Sequence, residues 1–165
     1  MMILVDTTVL SNFVLAGVSL LLREFCGSQG GTTQQVLAEF ERGVQQAVLP
    51  ATALPWLRMV GLQQARDQAL FSQLQTRLGA GEASCLALIC SNRQRFLSDD
   101  MKARRIARAM GVPVSGSVGV LLTLIRARRL TCAEGNSILK AFIAYGYFAP
   151  VQRLDDLLLT HNTGV

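Results

Sequence analysis

Five acids stand where a carboxylate can do chemistry: Asp6, Glu39, Glu82, Asp99 and Asp100. Asp6 directly follows the apolar run Ile3-Leu4-Val5, and Asp99-Asp100 follow Arg95-Phe96-Leu97-Ser98. As strands of one parallel sheet, both runs would deliver their acids to the carboxyl edge, where such sheets bind ligands. Glu39 sits beside Val36 and Phe40 in an apolar helical pattern, and Glu82 follows Gly81 at the start of an apolar helix. Carboxylates gathered at one sheet edge repel one another, and the gathering is costly unless a cation neutralises it. Oxygen donors without His or Cys suit Mg²⁺ or Mn²⁺. A cation held there activates a water as nucleophile and needs no side-chain nucleophile.

Each acid also has a plainer reading. Glu82 can favour a helix amino end through the helix dipole, and Glu39 can pair with Arg42 at i,i+3. Asp6 can cap the helix that follows it. Asp99-Asp100 can form a turn and the cap of the next helix. Rival chemistries find less support. The single His161 lies near the end of the sequence, without partners for a nucleophilic triad. The cysteines at 26, 85, 90 and 132 form no Cys-x-x-Cys pair, which argues against a zinc site and for a reduced, cytoplasmic chain. Gly79-x-Gly81 lacks the third glycine of a dinucleotide loop, and no Gly-Lys-Ser/Thr phosphate loop is present.

The elements that must position the acids alternate. Ile3–Val5 reads as a strand, and Thr7 or Thr8 as the cap of a helix through Leu15, closed by Gly17. A short helix covers Leu20 to Phe25, and Gly27–Gly31 reads as a loop. Thr32 or Thr33 caps a helix bearing Val36, Leu37, Phe40 and Val44 on one face. Val48-Leu49 with Thr52, between Pro50 and Pro55, is a weak candidate for a second strand. Gly61–Arg77 reads as a helix broken at Leu78–Gly81; Glu82 then opens a helix to Cys90 or Asn92. Strand Arg95–Ser98, helix Met101–Met110, strand Val112–Ser115, helix Gly116–Arg128 and two further helices complete the pattern. The alternation predicts an α/β fold: three layers, α/β/α, around a short central parallel sheet of four to five strands, with residues 1–165 as one domain.

Composition narrows the partners. The chain carries a formal net charge of +5, and nine of its sixteen Lys and Arg fall between Arg93 and Arg129, where Asp99 and Asp100 are the only acids. Arg104 and Arg108 share a helix face, with Lys102 and Arg105 beside them. This is either a solvated face or a strip that contacts the phosphates of a nucleic acid. Arg126, Arg128 and Arg129 read as partners of a helix carboxyl end. Phe142, Tyr145, Tyr147 and Phe148 read as core or subunit contact rather than base stackers. No basic leader region precedes the first apolar run, and the uncharged stretches fall short of a membrane span. A mean hydropathy of +0.35 suggests a homodimer or a tightly bound protein partner.

Several segments resemble the PIN domain family. Ile3-Leu-Val-Asp6-Thr-Thr-Val-Leu-Ser-Asn12 resembles its opening, and Val36-Leu-Ala-Glu39 its second acidic position. Gly81-Glu82-Ala-Ser is similar to its Gly-Glu-Ala signature, and Phe96-Leu-Ser-Asp-Asp100-Met-Lys-Ala-Arg104 to its last acidic segment. Gly111-Val-Pro-Val-Ser-Gly116-Ser-Val-Gly119-Val-Leu-Leu is similar to a PIN subfamily related to VapC-type toxins. The resemblance spans about Ile3 to Leu130. It implies an Mg²⁺- or Mn²⁺-dependent endoribonuclease, the toxin of a toxin–antitoxin pair with a cognate antitoxin as partner. Asp6, Glu39, Glu82 and Asp100 would be catalytic, with Asp99 as a neighbour. Asp6, Glu82, Asp100 and Asp99 would hold metal. Ser98-x-Asp100 favours Asp100 as the main ligand and leaves Asp99 as an extra ligand or the cap of the basic helix. Thr7, Asn12 and Ser98 would orient the acids, and Lys102, Arg104, Arg105 and Arg108 would contact RNA. A non-catalytic RNA- or protein-binding module is the alternative.

Overall fold

A computed structural model of the chain describes residues 2–89 and 94–159. Cys90, Asn92, Arg93 and His161, considered above, lie outside the described residues. Five parallel strands form one sheet in the order β3-β2-β1-β4-β5. They are β1 (Ile3–Val5), β2 (Gly30–Thr33), β3 (Arg58–Val60), β4 (Arg95–Leu97) and β5 (Val114–Ser115). The central strand β1 pairs with β2 through Ile3↔Gly30 and with β4 through Ile3↔Arg95, Leu4↔Phe96 and Val5↔Leu97. Sequence order runs outward from β1 in both directions, so the switch point of this doubly wound sheet lies at the carboxyl ends of β1 and β4.

Helices cover the sheet, giving the expected three-layer α/β/α arrangement. α3 (Gln34–Gln45), α4 (Ala65–Leu74) and α5 (Ala80–Ile89) pack together; α5 also lies against β1, β2 and β4. On the other side α1 (Thr7–Leu15), α2 (Ser19–Cys26), α7 (Ser117–Arg126) and α8 (Cys132–Ala144) pack on one another. α6 (Met101–Ala109) joins β4 to β5, and α9 (Asp155–Leu159) follows α8. Leu4, Val5, Phe96 and Leu97 are buried with Phe13, Leu86, Leu121 and Phe142 from the helices. Their apolar runs reflect a sheet covered on both faces. No described helix is long and apolar enough to cross a membrane.

Three expectations fail. The second strand is not Val48-Leu49 but Gly30–Thr33, inside and after the stretch read as a loop. Its glycines answer to crowding: a Cβ on Gly30 would stand 3.1 Å from Cys26 and from the Trp56 ring, and one on Gly31 would stand 2.9 Å from the Met2 sulfur. Val48 and Leu49 instead donate their N–H groups to the Gly43 carbonyl, closing α3. The cap of α1 is also corrected: Asp6 occupies the capping position but makes no side-chain cap bond, and Thr7 and Thr8 lie inside the helix. Thr33 does cap α3, accepting from the Val36 N–H at 3.2 Å. The long Gly61–Arg77 helix shortens to α4, whereas Glu82 lies in the first turn of α5 as expected, the helix beginning at Ala80.

Candidate active site

Strand β1 ends at Val5, so Asp6 leaves the sheet at the switch point, its N–H bonded to the Leu97 carbonyl of β4 at 2.9 Å. The carboxylate is fully buried. Its Oδ2 accepts from Thr8 Oγ1 at 2.8 Å and from Ser98 Oγ at 3.0 Å. Its Oδ1 is buried with no hydrogen-bond partner. Burial pushes the carboxyl up to about 6; the hydroxyls of Thr8 and Ser98 oppose this, and the nearby Glu39 adds to it.

Glu39 reaches the same region from α3. Thr7 donates to its Oε2 at 2.7 Å and the Gly81 N–H to its Oε1 at 2.8 Å, tying it to the amino ends of α1 and α5. The next acid along α5, Glu82, is pushed up to about 7, first by burial and then by the charges of Asp6, Glu39 and Asp100. Glu39 and Glu82 crowd one spot, since a Cβ on Gly79 would find Glu82 Oε2 at 2.6 Å and Glu39 Oε1 at 3.8 Å. A Cβ on Gly81 would meet Glu39 Oε2 at 2.5 Å. The glycines of Gly79-Ala-Gly81 therefore make room for acids rather than for a phosphate loop.

The doubled aspartate divides its duties. Asp100 caps α6, its Oδ1 accepting from the Ala103 N–H at 2.6 Å. Its own N–H is held by Ser98 Oγ at 3.2 Å. The cap of the basic helix is thus Asp100, not Asp99. Asp99 turns toward α7: Oδ1 accepts from the Ser117 N–H at 2.8 Å, and Oδ2 from Asn12 Nδ2 at 2.9 Å and from the Ser117 hydroxyl. Gly116 permits this turn, because a Cβ there would collide with Asp99 Oδ1 and Arg104 Nη1.

Asp6, Glu39, Glu82 and Asp100 are therefore brought within electrostatic reach of one another, and Asp99 is engaged beside them. Helix amino ends surround them, and each carries partial positive charge that tempers the repulsion. Among the described residues, no group of three or more His, Cys, Asp or Glu side chains is placed to hold a metal ion as it stands. The donor set nonetheless suits a hard divalent cation. It is all oxygen, burial raises Asp6 and Glu82 with neighbouring carboxylates adding to it, and Asp6 Oδ1 lacks any partner.

Thr7, Ser98 and Asn12 each hold an acid: Glu39, Asp6 and Asp99 respectively. Sequence reasoning passed over two residues of equal standing. Thr8 holds Asp6 and also accepts from the Asp99 N–H at 2.9 Å. Ser117 fixes Asp99. The signal for Ser117 was its position just after Gly116 at a helix start; nothing in the sequence alone separates Thr8 from Thr7. On α6, Arg104 donates from Nη1 to the Ser98 carbonyl at 2.9 Å, while Lys102, Arg105 and Arg108 are exposed. Of the later basic cluster, Arg129 pairs with Glu24.

The chain matches the family model DUF3368, described as a PIN domain, over residues 2–162. No curated protein and no solved structure matches it. A match across nearly the whole chain, over a parallel sheet with acids at its switch point, places this protein in the PIN domain family.

Proposed function

We propose that this chain is a metal-dependent endoribonuclease that hydrolyses RNA phosphodiester bonds, using Mg²⁺ or Mn²⁺. PIN domains are in general nucleases, which sets the class. The observation that carries the finer reading is Asp6: a fully buried carboxylate with one unpartnered oxygen, among Glu39, Glu82 and Asp100. Such an arrangement is unfavourable in the apo protein and becomes favourable with a cation.

Asp6, Glu82 and Asp100 are the residues to hold the cation, with Glu39 completing the negative pocket. Asp99 is a weaker candidate, since Asn12 and Ser117 already occupy its oxygens. A divalent ion bound there supplies Lewis acidity toward the phosphodiester and its attacking water. The protein's own part is positional. Thr8 and Ser98 grip one oxygen of Asp6 and leave the other, also buried, without a partner. Thr7 and the Gly81 N–H fix both oxygens of Glu39. The basic residues of α6, Arg104 and Arg108 in particular, draw and orient the polyanion. In the overall reaction, the water oxygen bonds to phosphorus as the ester oxygen leaves, and the water proton ends on the leaving oxygen.

The test is cleavage of RNA by purified protein with and without Mn²⁺. The expected result is cutting that EDTA abolishes and that Asp6→Asn or Asp100→Asn lowers by at least about a hundredfold. Metal-dependent cutting that survives the double variant would sink the proposal. The alternative, a non-catalytic RNA- or protein-binding module, draws on the fact that no three described acids are placed to hold a metal as they stand. Calorimetric titration with Mn²⁺ separates the two, because only the nuclease reading requires carboxylate-dependent binding.

The wider role we propose is a cytoplasmic toxin of a type II toxin–antitoxin pair, neutralised by a cognate antitoxin. It is expected to arrest growth when expressed alone, and Asp6→Asn is expected to relieve the arrest. Unimpaired growth with active enzyme present would remove the toxin role and leave the nuclease.

A further inference from the structure

Beside the acids lies a cavity of about 600 Å³ between α6, α7 and the segment 147–150. Val118 and Leu122 contribute apolar wall, and Arg104 and Arg108 line the same cavity. Asp99, Tyr147 and Phe148 line both this cavity and a neighbouring one of about 420 Å³ that includes Thr7, Thr8 and Asp100. The aromatic pair thus stands between this cavity and one that reaches Asp100.

Phe148 is 99% exposed. The residues that precede it are anchored. Gly146 turns the chain at φ +96°, and the Tyr147 N–H returns to the Phe142 carbonyl at 3.0 Å. The Tyr147 ring meets Phe142 edge-on, with centroids 6.2 Å apart. An apolar ring in water on the wall of a cavity that Arg104 and Arg108 also line suits a ligand with a flat face and negative charge. Among the described residues no carboxylate forms an ion pair with Arg104 or Arg108. An apolar peptide would cover the ring but leave Arg108 unanswered, whereas Arg104 already spends one N–H on the Ser98 carbonyl. An unpaired nucleotide offers both a flat face and a negative charge, and its strand would continue along the neighbouring cavity toward Asp100.

We propose that this cavity is a subsite for one unpaired nucleotide of single-stranded RNA, with the base stacked on Phe148 and the adjoining phosphate facing Arg104 and Arg108. The proposal deepens the nuclease reading and rests on it for the identity of the strand. It makes the enzyme selective for unpaired RNA, because a base inside a duplex has no free face to stack.

The experiment measures binding of a fluorescein-labelled single-stranded RNA of about ten nucleotides by anisotropy, in EDTA so that nothing is cut. Phe148→Ala and Phe148→Leu are each expected to weaken binding by about tenfold, the loss of one stacked base. Phe148→Trp is expected to keep wild-type affinity, and Arg108→Ala to weaken binding severalfold. A duplex of the same sequence should compete poorly. Because the ring is exposed, these variants should melt like the wild type. Wild-type affinity in Phe148→Leu, with cleavage intact, would overturn the subsite and leave the nuclease standing. Loss of self-association in Phe148→Ala with RNA affinity unchanged would assign the ring to a protein contact and likewise overturn it. Phe148-dependent binding without any cleavage by the wild type would support the subsite and remove the nuclease reading.

Discussion

A carboxylate as deeply buried as Asp6 sets a measurable cost on the metal-free protein. Its folded-state value is about 6, raised from 3.8, and that of Glu82 is about 7, raised from 4.5. A raised folded value means the native state holds its protons more tightly than the unfolded chain. The associated stability is therefore complete below the unfolded values and disappears as pH rises through the folded ones. In EDTA, the melting temperature is expected to fall between about pH 4 and pH 7, and Mn²⁺ should restore more of it at pH 7.5 than at pH 5. Asp6→Asn is expected to stabilise the apo protein at pH 7.5 by about 1–3 kcal/mol, the upper end being two pKa units, with little effect at pH 4. Differential scanning fluorimetry across pH reads both outcomes; a flat apo profile would remove the buried-charge argument. Asp6 itself was legible in the sequence, because an acid closing a short apolar run announces a strand end. The division of labour between Asp99 and Asp100 was not. It is decided by Asn12 and Ser117, which lie 87 and 18 residues from Asp99, and a local pattern carries no trace of such partners.

At the scale of elements, the site is a meeting of helix starts, and small residues let them meet. Gly81 is the sharpest case, because α5 presents its N–H to Glu39 only while no side chain fills that place. Gly81→Ala is expected to displace Glu39 and lower cleavage by about 10–100-fold, the usual effect of losing a residue that orients a metal-site acid. Alanine favours helix by up to ~1 kcal/mol over glycine, so melting should change little. Near-normal turnover in that variant would show that Glu39 does not need its seat. A control lies far from this chemistry at α8, where Thr131 and Glu134 form a reciprocal cap. Thr131→Ala should cost about 1 kcal/mol of stability without changing cleavage. The elements themselves were legible wherever apolar periodicity or a capping residue marked them: β1, α1, α3, β4, α6 and α7. β2 was hidden because crowding chose glycines there, against strand propensity. β3 was hidden because it is three residues long at the sheet edge, with Arg58 and Met59 exposed.

Across the whole molecule, charge and apolar surface set how the protein meets others. The excess of basic residues, +5 formally, should make RNA affinity fall steeply with salt. Removing one phosphate contact with Arg108→Ala should lower the slope of log K against log salt by about 0.7, the single-strand value per contact. An unchanged slope would place Arg108 outside the RNA path. Leu20, Val48 and Met59 leave apolar groups in water, and sedimentation at high concentration is expected to show a homodimer. A persistent monomer would leave the surface for a different protein. The bond from the Asp6 N–H to the Leu97 carbonyl also has a bearing on synthesis. A ribosome that has released the chain only as far as Gly79 has made two of the four converging acids, and neither the strand nor the helix that brings their partners. On the ribonuclease reading proposed above, translation would thereby delay the birth of a cutting centre beside the very messenger being read, a safeguard set by chain order alone.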